Sequence, residues 1–91
     1  MEITWDDRKA AENFKKHGVD FDEAATVILN PLAVVAANNH HDGNRWEYLG
    51  HSVKKRVLYV VTIEKEEDDV IRIVSARKAE PYEKEKYEEG F

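Results

Sequence analysis

The segment RVLYVVTI, residues 56–63, is β-branched or aromatic almost throughout and is the most strand-like run in the chain. Such side chains favour extended backbone because they pack well on a pleated, half-buried surface. An apolar run of this length between charged flanks is typical of a strand that is buried on both faces. We therefore predict that residues 56–63 form the central strand of a sheet.

Three more segments have strand character around this central run. Residues 70–77 follow a charged hairpin loop at 64–69, and residues 46–50 come shortly before the central run. Residues 32–37 form the remaining strand and end at a turn cluster, residues 38–44. Consecutive strands with short connections most simply form an antiparallel meander.

Helical signals precede these strands. Asp6 or Asp7 can cap a first helix that runs from Arg8 to His17, and Gly18 stands where a left-handed C-cap is favoured. The predicted apolar stripe of this helix consists of Ala10, Phe14 and His17.

A second helix follows at once. Asp20 and Glu23 have capping-box spacing, Val19 can staple onto Ala24, and Asn30-Pro31 ends the helix. After the strands, Pro81 can open a terminal helix in which Glu83 and Tyr87 share one face.

The predicted class is α+β: two N-terminal helices, a four-stranded, mainly antiparallel sheet and a C-terminal helix, with the helices on one face. The 91 residues are too few for two cores, so we expect a single domain over residues 1–91. With no cysteine, the chain has no disulfide framework and no thiolate chemistry, and a cytoplasmic location is expected. No segment has the length and character of a membrane span or a signal peptide.

The formal net charge of −5 is unevenly distributed. Residues 64–69 hold five carboxylates and one lysine, a net charge of −4. Residues 80–91 hold five carboxylates and two lysines, a net charge of −3, so the remainder carries +2. A basic patch on or beside the sheet is therefore compatible with an acidic chain, and phosphate recognition is not excluded. The cations in question are Arg45, Lys54, Lys55, Arg56, Arg72, Arg77 and Lys78.

Two positions could serve chemistry or only structure. Arg77 and Lys78, at the end of a predicted strand, could bind one phosphate at two points, or be solvated charges. His17 could act as a general acid or base near a helix C-terminus, or be a hydrogen-bonded structural histidine.

Other residues give weaker signals. His40, His41 and Asp42 could bind a metal, but they lie in a turn cluster and lack a recognised ligand spacing, so no metal or other cofactor is predicted. Trp5, Trp46 and Tyr48 could stack on bases, although aromatic residues in a small domain usually belong to the core.

A series of motifs resembles one family along almost the whole chain. In the first half the motifs are Trp5-Asp6, Lys9-Ala10, Asn13, Lys16-His17-Gly18-Val19, Phe21, Glu23-Ala24 and Asn30-Pro31. In the second half they are Arg45, Leu49-Gly50, Val60-Val61, the run of residues 71–79, Glu83 and Tyr87. In order and spacing the series resembles the BrnT toxins.

The resemblance implies a type II toxin of a toxin-antitoxin system, a small ribonuclease with a RelE-like fold. Its expected activity is metal-independent RNA cleavage, with mRNA as the expected substrate and inhibition of translation and growth as the result. A BrnA-like antitoxin that binds DNA would neutralise it and link it indirectly to operator DNA. No membrane partner is implied.

The resemblance also selects site residues. The catalytic candidates it supports are Arg77, Lys78, His17, Arg45 and Tyr87. The predicted RNA contacts are Lys16, which the resemblance adds, and three cations of the basic patch, Lys54, Lys55 and Arg72. Two alternatives stay open at this stage: a catalytically degenerate RelE-like module that acts as corepressor with its antitoxin, and a metal-dependent nuclease that uses the cluster in the turn.

Overall fold

A computed structural model describes residues 1–38, 44–65 and 69–89 of the chain. The elements in chain order are β1 (Glu2–Thr4), α1 (Asp7–His17), α2 (Phe21–Ile28), β2 (Val34–Asn38), β3 (Arg45–His51), β4 (Val57–Lys65), β5 (Val70–Lys78) and α3 (Pro81–Glu89). Within these residues, no helix combines the length and the apolar character that crossing a membrane requires.

The predicted α+β architecture is confirmed, but the described strands number five rather than four. Their order in the sheet is β1-β5-β4-β3-β2, so the run at 56–63 does form the central strand. The added strand, β1, pairs in parallel with β5, whereas the β2–β3, β3–β4 and β4–β5 pairs are antiparallel. The prediction missed β1 because three residues are too short to show a period of their own.

The core lies between the sheet and the first two helices. Leu58 and Val60 of β4 are fully buried there, together with Val19, Phe21 and Val27. We call this side the helix-covered face of the sheet and the other side the open face. Tyr59 and Val61, which point to the open face, are only partly buried, so β4 is not buried equally on both faces as predicted.

The helix caps follow the sequence closely. The Asp6 carboxylate accepts hydrogen bonds from the Arg8 and Lys9 amides, and Gly18 adopts the left-handed conformation with φ of 71°. Asp20 accepts a hydrogen bond from the Glu23 amide at 3.0 Å. The second half of the predicted capping box is absent, because the Glu23 carboxylate binds other groups.

One member of the predicted apolar stripe of α1 is wrong, whereas Ala10 packs against the core as expected. Phe14 is 52% exposed, whereas Asn13 is buried. The Asn13 amide nitrogen donates to the Val19 and Ala76 carbonyls at 3.0 and 2.8 Å, and its oxygen accepts from the Ala76 amide at 3.2 Å. Asn13 thereby satisfies the backbone of β5 beyond the point where β1 ends, so a polar residue, not an aromatic one, anchors this helix.

A buried ion pair joins α2 to the turn between β3 and β4. The Glu23 side chain is 2% exposed and accepts hydrogen bonds from Nε and Nη2 along one edge of the Arg56 guanidinium. Ser52 donates a third hydrogen bond to the same carboxylate at 2.6 Å, and the guanidinium also donates to the Gly18 carbonyl at 3.3 Å. These contacts fix the turn on the helix-covered side of the molecule.

The third helix lies on the other side of the sheet, contrary to the prediction that all helices share one face. No residue of α3 is buried. Its contacts are with side chains of the open face, and those side chains form the candidate site.

Candidate functional site

Three arginines lie on the open face, and a bulge in β5 places two of them there together. Arg72 and Arg77 are five residues apart, so simple alternation would send them to opposite faces. The pairing between β4 and β5 shifts between Val61 and Thr62, which leaves Val74 as an extra residue in β5. Arg72 therefore pairs with Ile63, and Arg77 with Tyr59, on one and the same face.

Arg77 is held from several directions. Its guanidinium carbon lies 4.3 Å from the centroid of the Tyr59 ring, in cation–π geometry. Its two terminal nitrogens donate to the two oxygens of Glu83 in α3, at 2.8 and 3.1 Å. Nη1 also donates to the Lys78 carbonyl at 3.2 Å. The guanidinium thus has one defined orientation at the junction of the sheet and α3.

The Glu83 carboxylate is itself fixed. It accepts a hydrogen bond from the Glu80 amide at 2.7 Å, the contact that closes the first turn of α3. Hydrogen bonds from Arg77 hold the pKa of Glu83 below its ordinary value of 4.5, and the same contact raises the pKa of Arg77. Both groups are therefore charged at neutral pH.

Tyr59 is the platform beneath Arg77. Burial and, to a smaller extent, a hydrogen bond with Glu47 raise the pKa of Tyr59 to about 12. The phenol therefore keeps its proton at neutral pH, and the face of its ring, not its oxygen, is what it offers to the guanidinium.

His51 and Tyr87 are in contact on the same face of the sheet as Arg77. Their rings are 5.3 Å apart at an angle of 61°, an edge-on contact between the end of β3 and α3. Glu83 and Tyr87 both contact the open face, in agreement with the predicted shared face of α3. A histidine and a tyrosine, two residue types that serve in acid–base catalysis, therefore lie on the same face as Arg77.

Arg45 and Arg72 form a second cationic row on the open face. Both flank Ile63 in the register, Arg45 from β3 and Arg72 from β5. Strand spacing places their backbones roughly 10 Å apart, and the row lies roughly 13 Å along β4 from Tyr59. The Nε of Arg45 is buried and has no hydrogen-bond partner in the part of the chain that the structure describes.

The remaining cations predicted around the sheet lie elsewhere. Lys78 pairs with Leu58, a residue of the helix-covered face, so alternation separates it from its neighbour Arg77. The structure does not form the adjacent two-point phosphate site that the sequence suggests. Lys54 and Lys55 are exposed in the turn between β3 and β4, where Lys55 has a φ of 64°.

His17 and Lys16 are not part of the open face. They line a groove of about 290 Å³ between α1 and β5, together with Lys9, Asn13 and Ser75. This groove is on the helix side of β5, so the structure brings together Arg77, Tyr87, Arg45 and Arg72 on one face but places the His17 imidazole on another surface.

The alternatives for the other polar and aromatic residues differ in outcome. Trp5 packs edge-on against Phe21 with ring centroids 6.1 Å apart, Trp46 packs against the core, and Tyr48 is buried. His40, His41 and Asp42 lie outside the described residues. Over residues 1–38, 44–65 and 69–89, no group of three or more His, Asp or Glu side chains could hold a metal ion.

Three features of the site were not predicted from the sequence: Tyr59, His51 and the ion pair between Glu83 and Arg77. Tyr59 was assigned only to a central strand, although period-2 alternation against buried Leu58 and Val60 would have pointed it to the opposite face. The contact of Glu83 with Arg77 depends on where α3 lies, which residue spacing alone does not give.

Comparisons with known proteins agree with this architecture. A family model described as the ribonuclease toxin BrnT of type II toxin-antitoxin systems matches residues 5–83. The chain is also similar to the 1.1 Å crystal structure of the Brucella abortus ribonuclease toxin BrnT, with a TM-score of 0.70 and 23% sequence identity. That similarity covers 88% of this chain and 97% of the other. No curated protein sequence matches.

Proposed function

The chain belongs to the BrnT family of ribonuclease toxins of type II toxin-antitoxin systems, and on that premise we propose that it is a metal-independent endoribonuclease whose site is the open face of the sheet. The observation that carries this proposal is the fixed guanidinium of Arg77, which lies over Tyr59 on the same face of the sheet as the contact between His51 and Tyr87. A cation held rigidly near proton-transfer groups suits stabilisation of a phosphorane-like transition state.

The proposed reaction uses the 2′-hydroxyl of the substrate as nucleophile. Its oxygen attacks the adjacent phosphorus, the bond to the 5′-oxygen breaks, and a 2′,3′-cyclic phosphate and a 5′-hydroxyl result. One group accepts the proton of the 2′-hydroxyl and another gives a proton to the leaving oxygen. Arg77 stabilises the charge that develops on the non-bridging oxygens.

The best candidates for proton transfer are side chains of the open face. His51 and Tyr87 are in contact there, and both belong to residue types that act as general acids or bases. His17, which the family resemblance suggests as a catalytic residue, lies in the groove along α1 instead. In that groove Lys16 would contact the RNA.

The remaining cations extend the RNA contact. Arg45 and Arg72, which flank Ile63 on the open face, would bind phosphates further along the RNA. Lys78, Lys54 and Lys55 would add weaker attraction from exposed positions.

We further propose a single toxin domain over residues 1–91, which acts on mRNA in the cytoplasm and inhibits translation and growth. A BrnA-like antitoxin would neutralise it and link it to operator DNA. The two acidic segments, the hairpin loop at 64–69 and the C-terminal residues 80–91, suit a basic partner.

The test is RNA cleavage by the purified protein in EDTA. The wild type should convert RNA to fragments with cyclic phosphate ends, and an oligonucleotide with 2′-deoxy sugars should stay intact. Replacing Arg77 and Lys78 together by Ala should abolish cleavage, and in cells it should relieve growth arrest. A matched control removes two exposed cations of α1, Arg8→Ala with Lys15→Ala, and should still cleave. A double mutant that cleaves like this control overturns the assigned site.

A second candidate is a catalytically degenerate binding module that acts as corepressor with its antitoxin. The compensation of the Arg77 charge by Glu83 favours it, because a neutralised guanidinium attracts phosphate less strongly. This candidate predicts tight antitoxin binding with no RNA cleavage by the wild type. Cleavage that disappears in EDTA would instead revive the metal-dependent alternative.

A further inference from the structure

The hydrogen bonds of Arg77 leave one particular edge of its guanidinium available. A guanidinium carries five N–H donors: one on Nε and two on each terminal nitrogen. Glu83 takes one donor from each terminal nitrogen, and the Lys78 carbonyl takes the second donor of Nη1. The remaining donors are Nε–H and the second hydrogen of Nη2, and neither donates to a residue in the described part of the chain.

Those two donors lie on the same edge of the planar group and point in the same direction. Parallel N–H donors at this spacing match the oxygens of a phosphate in bidentate geometry. The contact with Glu83 thus uses the end of the guanidinium and leaves its side edge for a phosphate. A carboxylate on the Nε–Nη2 edge would instead block a phosphate from binding to Arg77.

We propose that Glu83 is a positioning residue for RNA cleavage: it sets the orientation of Arg77 so that the Nε–Nη2 edge faces the scissile phosphate. This inference rests on the proposed function and assigns to α3 a part in it. The carboxylate touches no reacting atom and acts only through Arg77.

The surroundings suit this role. The Glu80 amide, 2.7 Å away, holds the Glu83 carboxylate at the first turn of α3, so its own position is defined by the helix start. Tyr59 supports the guanidinium from below at 4.3 Å. With the Tyr59 ring beneath the guanidinium and the Glu83 carboxylate at its end, rotation about the terminal side-chain bonds of Arg77 is restricted.

Positioning and charge predict opposite results when Glu83 is replaced by Gln. Removal of a negative charge beside Arg77 strengthens the attraction for RNA, so charge alone predicts faster cleavage. The amide of Gln offers only one acceptor and turns a donor toward the other terminal nitrogen, so the bidentate contact is lost. Positioning therefore predicts slower cleavage in spite of the more favourable charge.

The experiment compares Glu83→Gln with Glu85→Gln in cleavage of an RNA oligonucleotide in EDTA. Glu85 is exposed on the same helix and its replacement changes the charge by the same amount. For Glu83→Gln we expect kcat to fall roughly 10- to 100-fold, the range for a misplaced catalytic group, with KM unchanged or lowered. Glu85→Gln should retain the wild-type kcat. A Glu83→Gln protein that cleaves as fast as Glu85→Gln, or faster, overturns the inference.

Two further variants separate positioning from a loss of folding. Glu83→Asp keeps the carboxylate and should recover part of kcat, and the melting temperature of each variant should equal that of Glu85→Gln. In an Arg77→Ala background, Glu83→Gln should cause no additional loss of the residual rate. An additional loss there would overturn the inference. Absence of cleavage by the wild type would overturn the proposed function itself, a result distinguishable from an active wild type with an active Glu83→Gln variant.

Discussion

Two arginine–glutamate pairs lie on opposite sides of the sheet, and they differ in what surrounds the carboxylate. On the helix-covered side, Glu23 belongs to a helix that buries four residues, and Ser52 and Arg56 both bind it. On the open side, Glu83 belongs to a helix that buries none, and its side chain is 12% exposed. The guanidinium side chains are equally exposed, at 29% each.

The comparison shows how the same pair chemistry serves two purposes. Removing one partner of a buried pair leaves an uncompensated charge in the core. Loss of either partner of the first pair is therefore expected to lower the stability of the fold. A pair at the edge of the molecule contributes little to stability, because water and ions replace each partner. The second pair can therefore be used to orient a cation for a substrate.

The largest expected effect on stability comes from Arg56→Ala. It leaves the Glu23 carboxylate buried with only Ser52 as a partner, and we expect the free energy of unfolding to fall by about 3–5 kcal/mol. Urea denaturation followed by circular dichroism measures it. A loss no larger than that of Arg77→Ala would remove the distinction between the two pairs.

Asn13→Ala tests a neutral polar anchor on the same helix-covered side. The change leaves the Val19 carbonyl and both backbone groups of Ala76 without this partner, and we expect a loss of about 1–3 kcal/mol in the free energy of unfolding. Asn13→Asp is the informative companion, since it keeps the acceptor for the Ala76 amide but loses the donors. If Asn13→Ala melts at the wild-type temperature, α1 is held by its apolar contacts instead.

Acid should distinguish the pairs by their coupling to global unfolding. Hydrogen bonds from Arg56, with a smaller contribution from Ser52, lower the pKa of Glu23, and Arg77 lowers that of Glu83. A lowered pKa in the folded state gives stability that is present above the ordinary value of 4.5 and is lost as the pH falls below it.

The melting temperature should therefore fall as the pH decreases below 4.5, and this fall should be smaller in Glu23→Gln than in the wild type. Glu83→Gln should reduce the fall less than Glu23→Gln does, because its pair with Arg77 lies at the edge of the molecule on a helix that buries no residue. Thermal melts between pH 7 and pH 3 in each variant measure the profiles. Equal profiles for the two variants would show that both carboxylates are linked to the same transition.

The smallest expected change in stability is that of Arg77→Ala. Its partner Glu83 can be solvated when the arginine is removed, so we expect the free energy of unfolding to change by less than about 1 kcal/mol. Hydrogen exchange should show faster exchange of the α3 amides and no change in the amides of β4. Protection lost throughout the sheet would mean that α3 contributes to the core.

Local signals were sufficient to predict most of the fold. Asp6, Asp20 and Gly18 mark helix ends through their own side chains or backbone, so their roles can be read from neighbouring residues. The strand β1 could not be predicted in this way, because it is defined by pairing with β5. In the predicted stripe on α1, the position of Phe14 was wrong because Asn13 is buried instead and binds the backbone of a strand 63 residues away in sequence.

The site was less predictable for a related reason. Arg77, Arg45 and Tyr87 were selected by resemblance and Arg72 by its charge. The common face of Arg72 and Arg77 depends on the extra residue Val74, and no local signal in the sequence marks that bulge. The separation of Lys78 from Arg77 follows from strand alternation and could have been foreseen. The contact between Glu83 and Arg77 needed the position of α3.

The central claim is that Arg77, and not the chemically similar Arg56, performs phosphate chemistry on the open face. The most direct measurement is the single-turnover rate of RNA cleavage in EDTA by Arg77→Ala, beside the control Arg8→Ala, with both variants shown to be folded by their melting temperatures. We expect the rate of Arg77→Ala to fall about 10²- to 10³-fold, as for loss of one transition-state donor, and that of Arg8→Ala to stay unchanged. A folded Arg77→Ala protein that cleaves RNA at the wild-type rate would contradict the account.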